Sequence, residues 1–173
     1  MTRWTSDKEV ELLQRYAKLS KFGIVEIGVM DGETTAKLAE ASTVPIYGID
    51  PLIPDSMPPY TLGNEELIIK NMTPYKNRFF FAKEYSYNVV NQFSYGFDML
   101  FIDGSHLYED VKRDYNDWFP KLEVGGYVMF HDSAPMEDGR FGGWAGPTKV
   151  TDQLIKEKYN FVERVDTIRV FRK

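Results

Sequence analysis

Two short stretches of this chain carry side chains able to move a proton or hold a cation. Asp103-Gly104-Ser105-His106 ends one apolar run, Met99 to Ile102, and His131-Asp132-Ser133 ends another, Tyr127 to Phe130. The chain has two histidines, and both sit in these stretches beside an aspartate. An imidazole, with an unperturbed pKa of about 6.5, suits the removal of a hydroxyl proton near neutral pH. A third cluster lies upstream: Glu26-Ile27-Gly28 with Gly32, Thr34 and Thr35, followed by Asp50, 22 residues after Gly28. Glycines at a turn let backbone approach a ligand closely. An acid at the end of the next strand can accept hydrogen bonds from both hydroxyls of a ribose.

These residues need elements that bring them together. Phe97 to Ser133 reads as strand, charged helix, strand. Such a unit is right-handed with parallel strands, and open parallel sheets bind ligands at the carboxyl ends of their strands. Both Asp–His clusters would then share one edge. Ser6 and Glu9 form a capping box that predicts a helix from about Asp7 to Leu19, with Val10, Leu12, Leu13, Tyr16 and Leu19 as its apolar face. Ile24 to Ile27, Val44 to Ile49 and Arg78 to Ala82 read as strands; Ala36 to Ala41, Asn64 to Met72, Ser86 to Phe93 and Lys149 to Lys158 read as helices. Four prolines between 51 and 59 predict a loop over the strand edge. The glycine-rich stretch 133–147, which includes Trp144, predicts a mobile loop over the site. Phe161 to Asp166 and Ile168 to Phe171 pair as an antiparallel hairpin.

Composition narrows the function. At 173 residues, 43% hydrophobic and 27% charged, the chain reads as one globular domain, 1–173, with an N-terminal helical segment 1–20. A net charge of −5 without a basic block argues against nucleic acid as a partner. The absence of cysteine excludes disulfides, thiolate metal sites and a cysteine nucleophile. No apolar run approaches the roughly 20 residues that span a bilayer, so no membrane association is expected. The N-terminus has no signal-like apolar core, and the expected location is cytoplasmic. The oligomeric state stays open, a homodimer included.

The glycine spacing also bears on the cofactor. A dinucleotide turn wants G-x-G-x-x-G, whereas here position 30 is Met and Glu26 adds charge. Both features crowd or repel a pyrophosphate, and both suit a cationic sulfonium with an amino-acid tail.

Glu26-Ile27-Gly28 with Gly32, Thr34 and Thr35 resembles the first motif of class I S-adenosylmethionine-dependent methyltransferases, and Tyr47 to Pro51 resembles the second. The stretch FIDGSHLYEDVKRDYNDWFPKLEVGGYVMFHDS resembles the subgroup with D-G-x-H-x-Y-E and H-D motifs, which includes small-molecule and sugar O-methyltransferases. The resemblance runs from about Ile24 to the C-terminus. It implies an α/β, Rossmann-like doubly wound sheet, mostly parallel with an antiparallel seventh strand, in the order 3-2-1-4-5-7-6. It further implies O-methylation of a small hydroxylated acceptor such as a sugar or polyol, with S-adenosylmethionine as cofactor.

Carried over by residue, Glu26, Gly28, Gly32, Thr34, Asp50 and Asp103 would line the cofactor, with adenine near Lys83 to Ser86. His106 would be the general base with Asp103 beside it as a catalytic group. Asp103 and Asp132 would be candidate ligands for Mg²⁺ or another divalent cation. Metal-dependent relatives carry a second acid or amide beside the Asp132 position, where this chain has His131 and Ser133, and an imidazole there favours a transition metal. His106 is alternatively a turn-contacting residue and His131 a hydrogen-bonded core residue. Tyr108, Glu109, Lys112 and Asp114 read as a solvated helix face, and Tyr115, Trp118 and Phe119 as core. An NAD- or nucleotide-binding Rossmann protein, or a non-catalytic cofactor-binding module, are the competing readings.

Overall fold

Four parallel strand pairings and two antiparallel ones build the sheet. In a computed structural model that describes residues 5–173, the strands are β1 (Ile24–Ile27), β2 (Ile46–Ile49), β3 (Phe79–Ala82), β4 (Met99–Ile102), β5 (Tyr127–Phe130), β6 (Phe161–Val165) and β7 (Ile168–Arg172). They run in the order β3-β2-β1-β4-β5-β7-β6. β1 to β5 pair in parallel, and β7 pairs antiparallel with both β5 and β6. This is the order expected from the sequence. The helices are α1 (Asp7–Leu19), α2 (Glu33–Ala41), α3 (Glu65–Met72), α4 (Ser86–Val89), α5 (Tyr108–Trp118) and α6 (Ala145–Lys156).

Each central strand is buried on both faces, so its successive side chains supply two different cores. Met99 and Phe101 of β4 point to one side, where Leu12, Leu13 and Tyr16 of α1, Leu38 of α2 and Ile68 of α3 pack. Leu100 and Ile102 point to the other, against Val111, Tyr115 and Trp118 of α5 and Val150 and Leu154 of α6. Tyr115 and Trp118 are thus core residues, as read from the sequence.

The departures have local causes. β2 begins at Ile46, because Pro45 has no N–H to give to a ladder. α6 begins at Ala145, four residues before the expected start. Pro147 sits in its first turn, where a missing N–H costs nothing. The helix expected over Ser86 to Phe93 is a single α turn continued as a 3₁₀ turn, Val90–Gln92. Leu19, at the last turn of α1, is 55% exposed, and Ala17 takes its place in the core. Asp114 is not on a solvated face. It is buried and accepts the Ser86 hydroxyl, and burial pushes its carboxyl up to about 6. The capping box forms as expected, with Ser6 Oγ accepting from Glu9 N and Glu9 Oε2 accepting from Ser6 N.

One glycine fixes how β1 leaves the sheet. Gly28 has φ +92°, and a Cβ there would stand 2.0 Å from the Asp103 carbonyl oxygen. An alanine meets both the left-handed backbone penalty of about 1–2 kcal/mol and a collision with backbone that cannot swing aside. Gly28→Ala is expected to destabilise the fold by more than about 2 kcal/mol in urea unfolding. A loss within the ±0.5 kcal/mol or so typical of surface changes would show that the turn has slack.

Candidate active site

The strand register levels the site. Ile27 pairs with Ile49 and with Ile102, and Ile102 pairs with Phe130. The residues that follow these four, Gly28, Asp50, Asp103 and His131, therefore stand in one row along the carboxyl edge. The strand order reverses between β1 and β4, and this is the crevice where open α/β sheets hold ligands.

On the β1–β2 side, carboxylates gather around the glycine turn. Asp50 Oδ2 accepts the backbone N–H of Val29 and of Met30, each at 2.8 Å, and Oδ1 accepts that of Leu52 at 2.7 Å. Glu26 is buried in β1, and its Oε2 has no hydrogen-bond partner. Burial pushes its carboxyl up to about 8; the Thr35 hydroxyl beside it works the other way, and Asp103 and Asp50 push it further up. Thr35 Oγ1 is itself without an aligned hydrogen bond, so its hold on Glu26 is weak. Gly32, at φ +75°, is the N-cap of α2. Thr34 is half-buried, and its hydroxyl meets Thr5 Oγ1 at 3.2 Å.

On the β4–β5 side, two imidazoles interleave with carboxylates. His106 Nε2 lies 3.0 Å from Asp132 Oδ2, and His106 Nδ1 lies 3.0 Å from Asp55 Oδ1. His131 Nδ1 lies 2.9 Å from Asp103 Oδ1 and 3.5 Å from Asp132 Oδ2. Its ring is poorly aligned for hydrogen bonds, so these contacts are ionic in character. Burial opposes charge on both rings. It is outweighed by Asp103 and Asp132 at His131, and by Asp132 and Asp55 at His106, so both titrate above the ordinary histidine value. Asp132 moves the opposite way: burial opposes its charge, but His131 and His106 hold its carboxyl below the usual range. Its backbone is left-handed, φ +53°, with its N–H on Thr167 Oγ1 and its carbonyl accepting Trp144 N–H. Burial raises Asp103, and His131 partly offsets that.

The structure thus brings His106, Asp103 and Asp132 together with His131, and Glu26, Gly28 and Asp50 together one strand away. Thr34 lies in the first turn of α2, where its hydroxyl hydrogen-bonds with that of Thr5. Three participants escaped the sequence reading. Asp55 and Ser56 come from the proline-rich loop, where only the presence of an acid among prolines hinted at a role. Glu9 was legible as a cap, but its other oxygen accepts Thr167 N and Oγ1 at 2.8 and 2.6 Å. Glu9 Oε2 lies 3.6 Å from His131 Nε2. Burial opposes its ionisation; His131 and Thr167 overcome that and bring its carboxyl down to about 2. Trp144, in the loop before α6, lies 5.4 Å from the His106 ring, centroid to centroid. Gly146 packs on the His106 carbonyl so closely that a Cβ would sit 2.2 Å away.

Asp103, His131 and Asp132 each offer one atom within 4.8 Å of the others. Two carboxylate oxygens with an imidazole nitrogen fit a borderline divalent cation better than Mg²⁺ or Ca²⁺, which prefer oxygen throughout. The unaligned, buried ring of His131 is consistent with such a ligand role.

Comparison with known proteins assigns the architecture. The profile of the methyltransferase domain family matches residues 25–133, from β1 through the His131–Ser133 motif. The chain belongs to this family. Its methyltransferase fold is of the class I, S-adenosylmethionine-dependent kind. The O-methyltransferase NovP superposes with a TM-score of 0.72 at 16% identity, over 96% of this chain and 79% of that one. An O-methyltransferase from Bacillus cereus in complex with SAH gives 0.68 at 14% identity, over 98% and 82%. TomG from Streptomyces achromogenes, in complex with SAM, gives 0.67 at 15% identity, over 98% and 81%. At these identities the likeness is one of fold. In sequence, an uncharacterized protein of Acanthamoeba polyphaga mimivirus is 31% identical over 117 residues, 62% of this chain and 50% of that protein. A Sinorhizobium fredii protein is 49% identical over 47 residues, 27% of this chain and 5% of its own length. The chain thus spans half, or much less, of these two relatives. Among the described residues no helix is long and apolar enough to cross a membrane.

The buried Glu26 carboxyl makes a prediction about stability. It titrates near 8 in the folded domain and near the model-compound 4.5 when unfolded, so the native state holds its proton more tightly between those values. Raising the pH through that window removes stability. Glu26→Gln removes this dependence, so its melting temperature should fall less than that of the wild type from about pH 5 to about 8. Parallel melting curves for the two proteins would show that Glu26 is ionised throughout.

Proposed function

We propose that this domain transfers a methyl group from S-adenosylmethionine to a hydroxyl of a small hydroxylated acceptor, a sugar or polyol, with His106 as general base. The observation that carries the reading is the pairing of two unlike sites across the β1–β4 crevice. One is a carboxylate-lined glycine turn suited to a cation, and the other is an imidazole set among carboxylates. When bound, S-adenosylmethionine supplies an electrophilic methyl group on a cationic sulfonium and leaves as a neutral thioether.

Glu26 presents an unpaired carboxyl oxygen to the methionine ammonium group, and Gly28 and Gly32 let backbone come close to it. Asp50 accepts the ribose hydroxyls. Its oxygens already hold three backbone N–H groups, and each carboxylate oxygen has room for a further donor. The same bonds disfavour a dinucleotide, because the Val29 and Met30 N–H groups a pyrophosphate would need are turned to Asp50. Lys83 follows β3 on the same row as Asp50, which supports an adenine contact somewhere in the stretch Lys83 to Ser86.

His106 takes the proton of the acceptor hydroxyl as its oxygen forms the new bond to carbon. The ring is 12% exposed by side chain, so solvent access to it is restricted. Asp103 and Asp132 balance the charge that gathers on the imidazoles. A divalent cation held by Asp103, His131 and Asp132 would lower the pKa of the acceptor hydroxyl. Trp144 and Phe141, 5.5 Å apart by ring centroids, offer an apolar wall next to His106. Phosphate groups or nucleic acid find no basic counterpart in this cluster of acids.

Calorimetric titration with S-adenosylhomocysteine tests the cofactor half. Binding in the micromolar range is expected, weakened by Asp50→Ala at least about tenfold, or about 1.4 kcal/mol. Absence of binding, with NADH bound instead, would sink the methyltransferase reading. The chemistry half rests on His106→Ala. Turnover should fall by about 10²–10⁴-fold while affinity for S-adenosylhomocysteine stays near wild type. Turnover that survives this change would remove His106 as the base.

A further inference from the structure

We infer that the free edge of β3 is a self-association surface, where two copies of this chain join their β3 strands antiparallel about a two-fold axis at Phe80. The inference goes beyond the proposed chemistry and does not depend on it.

β3 ends the sheet and is paired on one side only, with β2. Ile46 N–H donates to the Arg78 carbonyl at 2.8 Å, and Asp50 N–H to the Ala82 carbonyl at 3.1 Å. Backbone groups of successive strand residues point to opposite sides. Arg78, Phe80 and Ala82 therefore turn theirs to β2, and Phe79 and Phe81 turn theirs outward.

Proteins usually blunt such an edge with charge, proline or a bulge. The opposite edge follows that rule. β6 carries Glu163 and Arg164, and a register shift between Phe161 and Glu163 interrupts its pairing with β7. β3 has none of these devices. It reads Phe-Phe-Phe-Ala, and Phe80 is 52% exposed. The segment between β3 and β4 forms only one α turn and a 3₁₀ turn, which leaves Phe80 open. Tyr47 stacks with Phe80 at 5.3 Å and with Tyr95 at 5.2 Å between centroids, with interplanar angles of 19° and 17°. Phe80 is the member of this stack that stands on the edge strand.

The edge complements itself. An antiparallel partner must set outward backbone groups against outward groups. Pairing Phe79 with the partner's Phe81, and the reverse, meets that condition, and each such pair exchanges both N–H···O bonds. Phe80 then faces the partner's Phe80 as a non-hydrogen-bonded pair, where side chains come closest, with Cα atoms about 4.5 Å apart. A two-fold axis at Phe79 or Phe81 keeps the hydrogen bonding but sets Phe80 against Arg78 or Ala82. Only the axis at Phe80 puts aromatic on aromatic throughout. It also lays the start of each strand beside the end of the other, bringing exposed Lys76 toward the partner's Glu84, which is exposed as well. The remaining charges at the strand ends are already satisfied. Lys83 Nζ lies 2.7 Å from Glu65 Oε2, and the Arg78 guanidinium donates to the Ala39 and Val44 carbonyls.

Sedimentation of the wild-type chain at about 50 μM should give a species of twice 20.1 kDa. Phe80→Glu sets like charges face to face. It should raise the dissociation constant at least about tenfold, with the circular dichroism of the folded chain retained. The chain has no cysteine, so a single introduced thiol reports its own neighbour. Under mild oxidation Phe80→Cys should form a disulfide-linked dimer, since Cα atoms about 4.5 Å apart fall within the span of a disulfide. Val162→Cys, 41% exposed on β6, should stay unlinked under the same conditions.

A 20.1 kDa species that persists at about 200 μM overturns the inference. A dimer equally tight in folded Phe80→Glu also overturns it, as does cross-linking of Val162→Cys as fast as that of Phe80→Cys. If Phe80→Glu does not fold, the two cysteine variants decide.

Discussion

The approach of Gly28 to the Asp103 backbone governs the geometry of this domain. The two residues follow neighbouring strands at the point where the sheet order reverses, and no side chain fits between them. Close contact there brings the glycine turn and the Asp–His motif to opposite lips of one narrow crevice. A wider β1–β4 separation would part the glycine turn from the Asp–His motif. The parallel register reinforces this, since it levels the strand ends and puts Gly28, Asp50, Asp103 and His131 in one row.

A second constraint is electrostatic. Glu9, Asp55, Asp103 and Asp132 gather around two imidazoles, and little of that charge is exposed to water. A buried charge is tolerated when paired, and removing one partner leaves the other uncompensated. The imidazoles hold the Asp132 and Glu9 carboxyls below their ordinary range, and the carboxylates raise the titration of both rings against the cost of burial. Glu26 has no such partner, and it is the carboxyl pushed up rather than down. This contrast separates the two lips: one is internally balanced, and the other holds a buried carboxyl with no charged partner beside it.

The fold shows how these acids come from distant parts of the chain. α1 contributes Glu9 through the same residue that caps the helix, so one side chain secures the helix start, the β6–β7 turn at Thr167 and the underside of His131. The loop after β2 contributes Asp55, and the turn before α6 contributes Trp144. The loop after β2 is pinned by Asn64 N–H on the Met30 carbonyl, the segment before α6 by Trp144 N–H on the Asp132 carbonyl, and α1 by the Glu9 side chain on Thr167.

Much of this was legible in the residues alone. Apolar runs bounded by turns located the strands. The capping box located α1, and the Gly28–Gly32 turn with Met30 inside it and Glu26 beside it pointed to a cationic sulfonium rather than a dinucleotide. Only two histidines, each beside an acid at a strand end, were enough to point to the cluster of rings and carboxylates at the ends of β4 and β5. These are local signals: periodicity, capping and strand-to-turn transitions act over a few residues, so sequence displays them directly. The partners of those histidines were not legible. Nothing in the composition of the proline-rich loop says that Asp55 will meet a ring 51 residues away, and a cap read at Glu9 does not disclose Thr167. Asp114 was read as solvated because its helix is charged, yet the packing of α4 buried it. The chain by itself determined which elements form and which motifs end them. Tertiary structure alone decided which carboxylate faces which imidazole, because that pairing depends on loop closure and on charge burial between segments that share no local pattern.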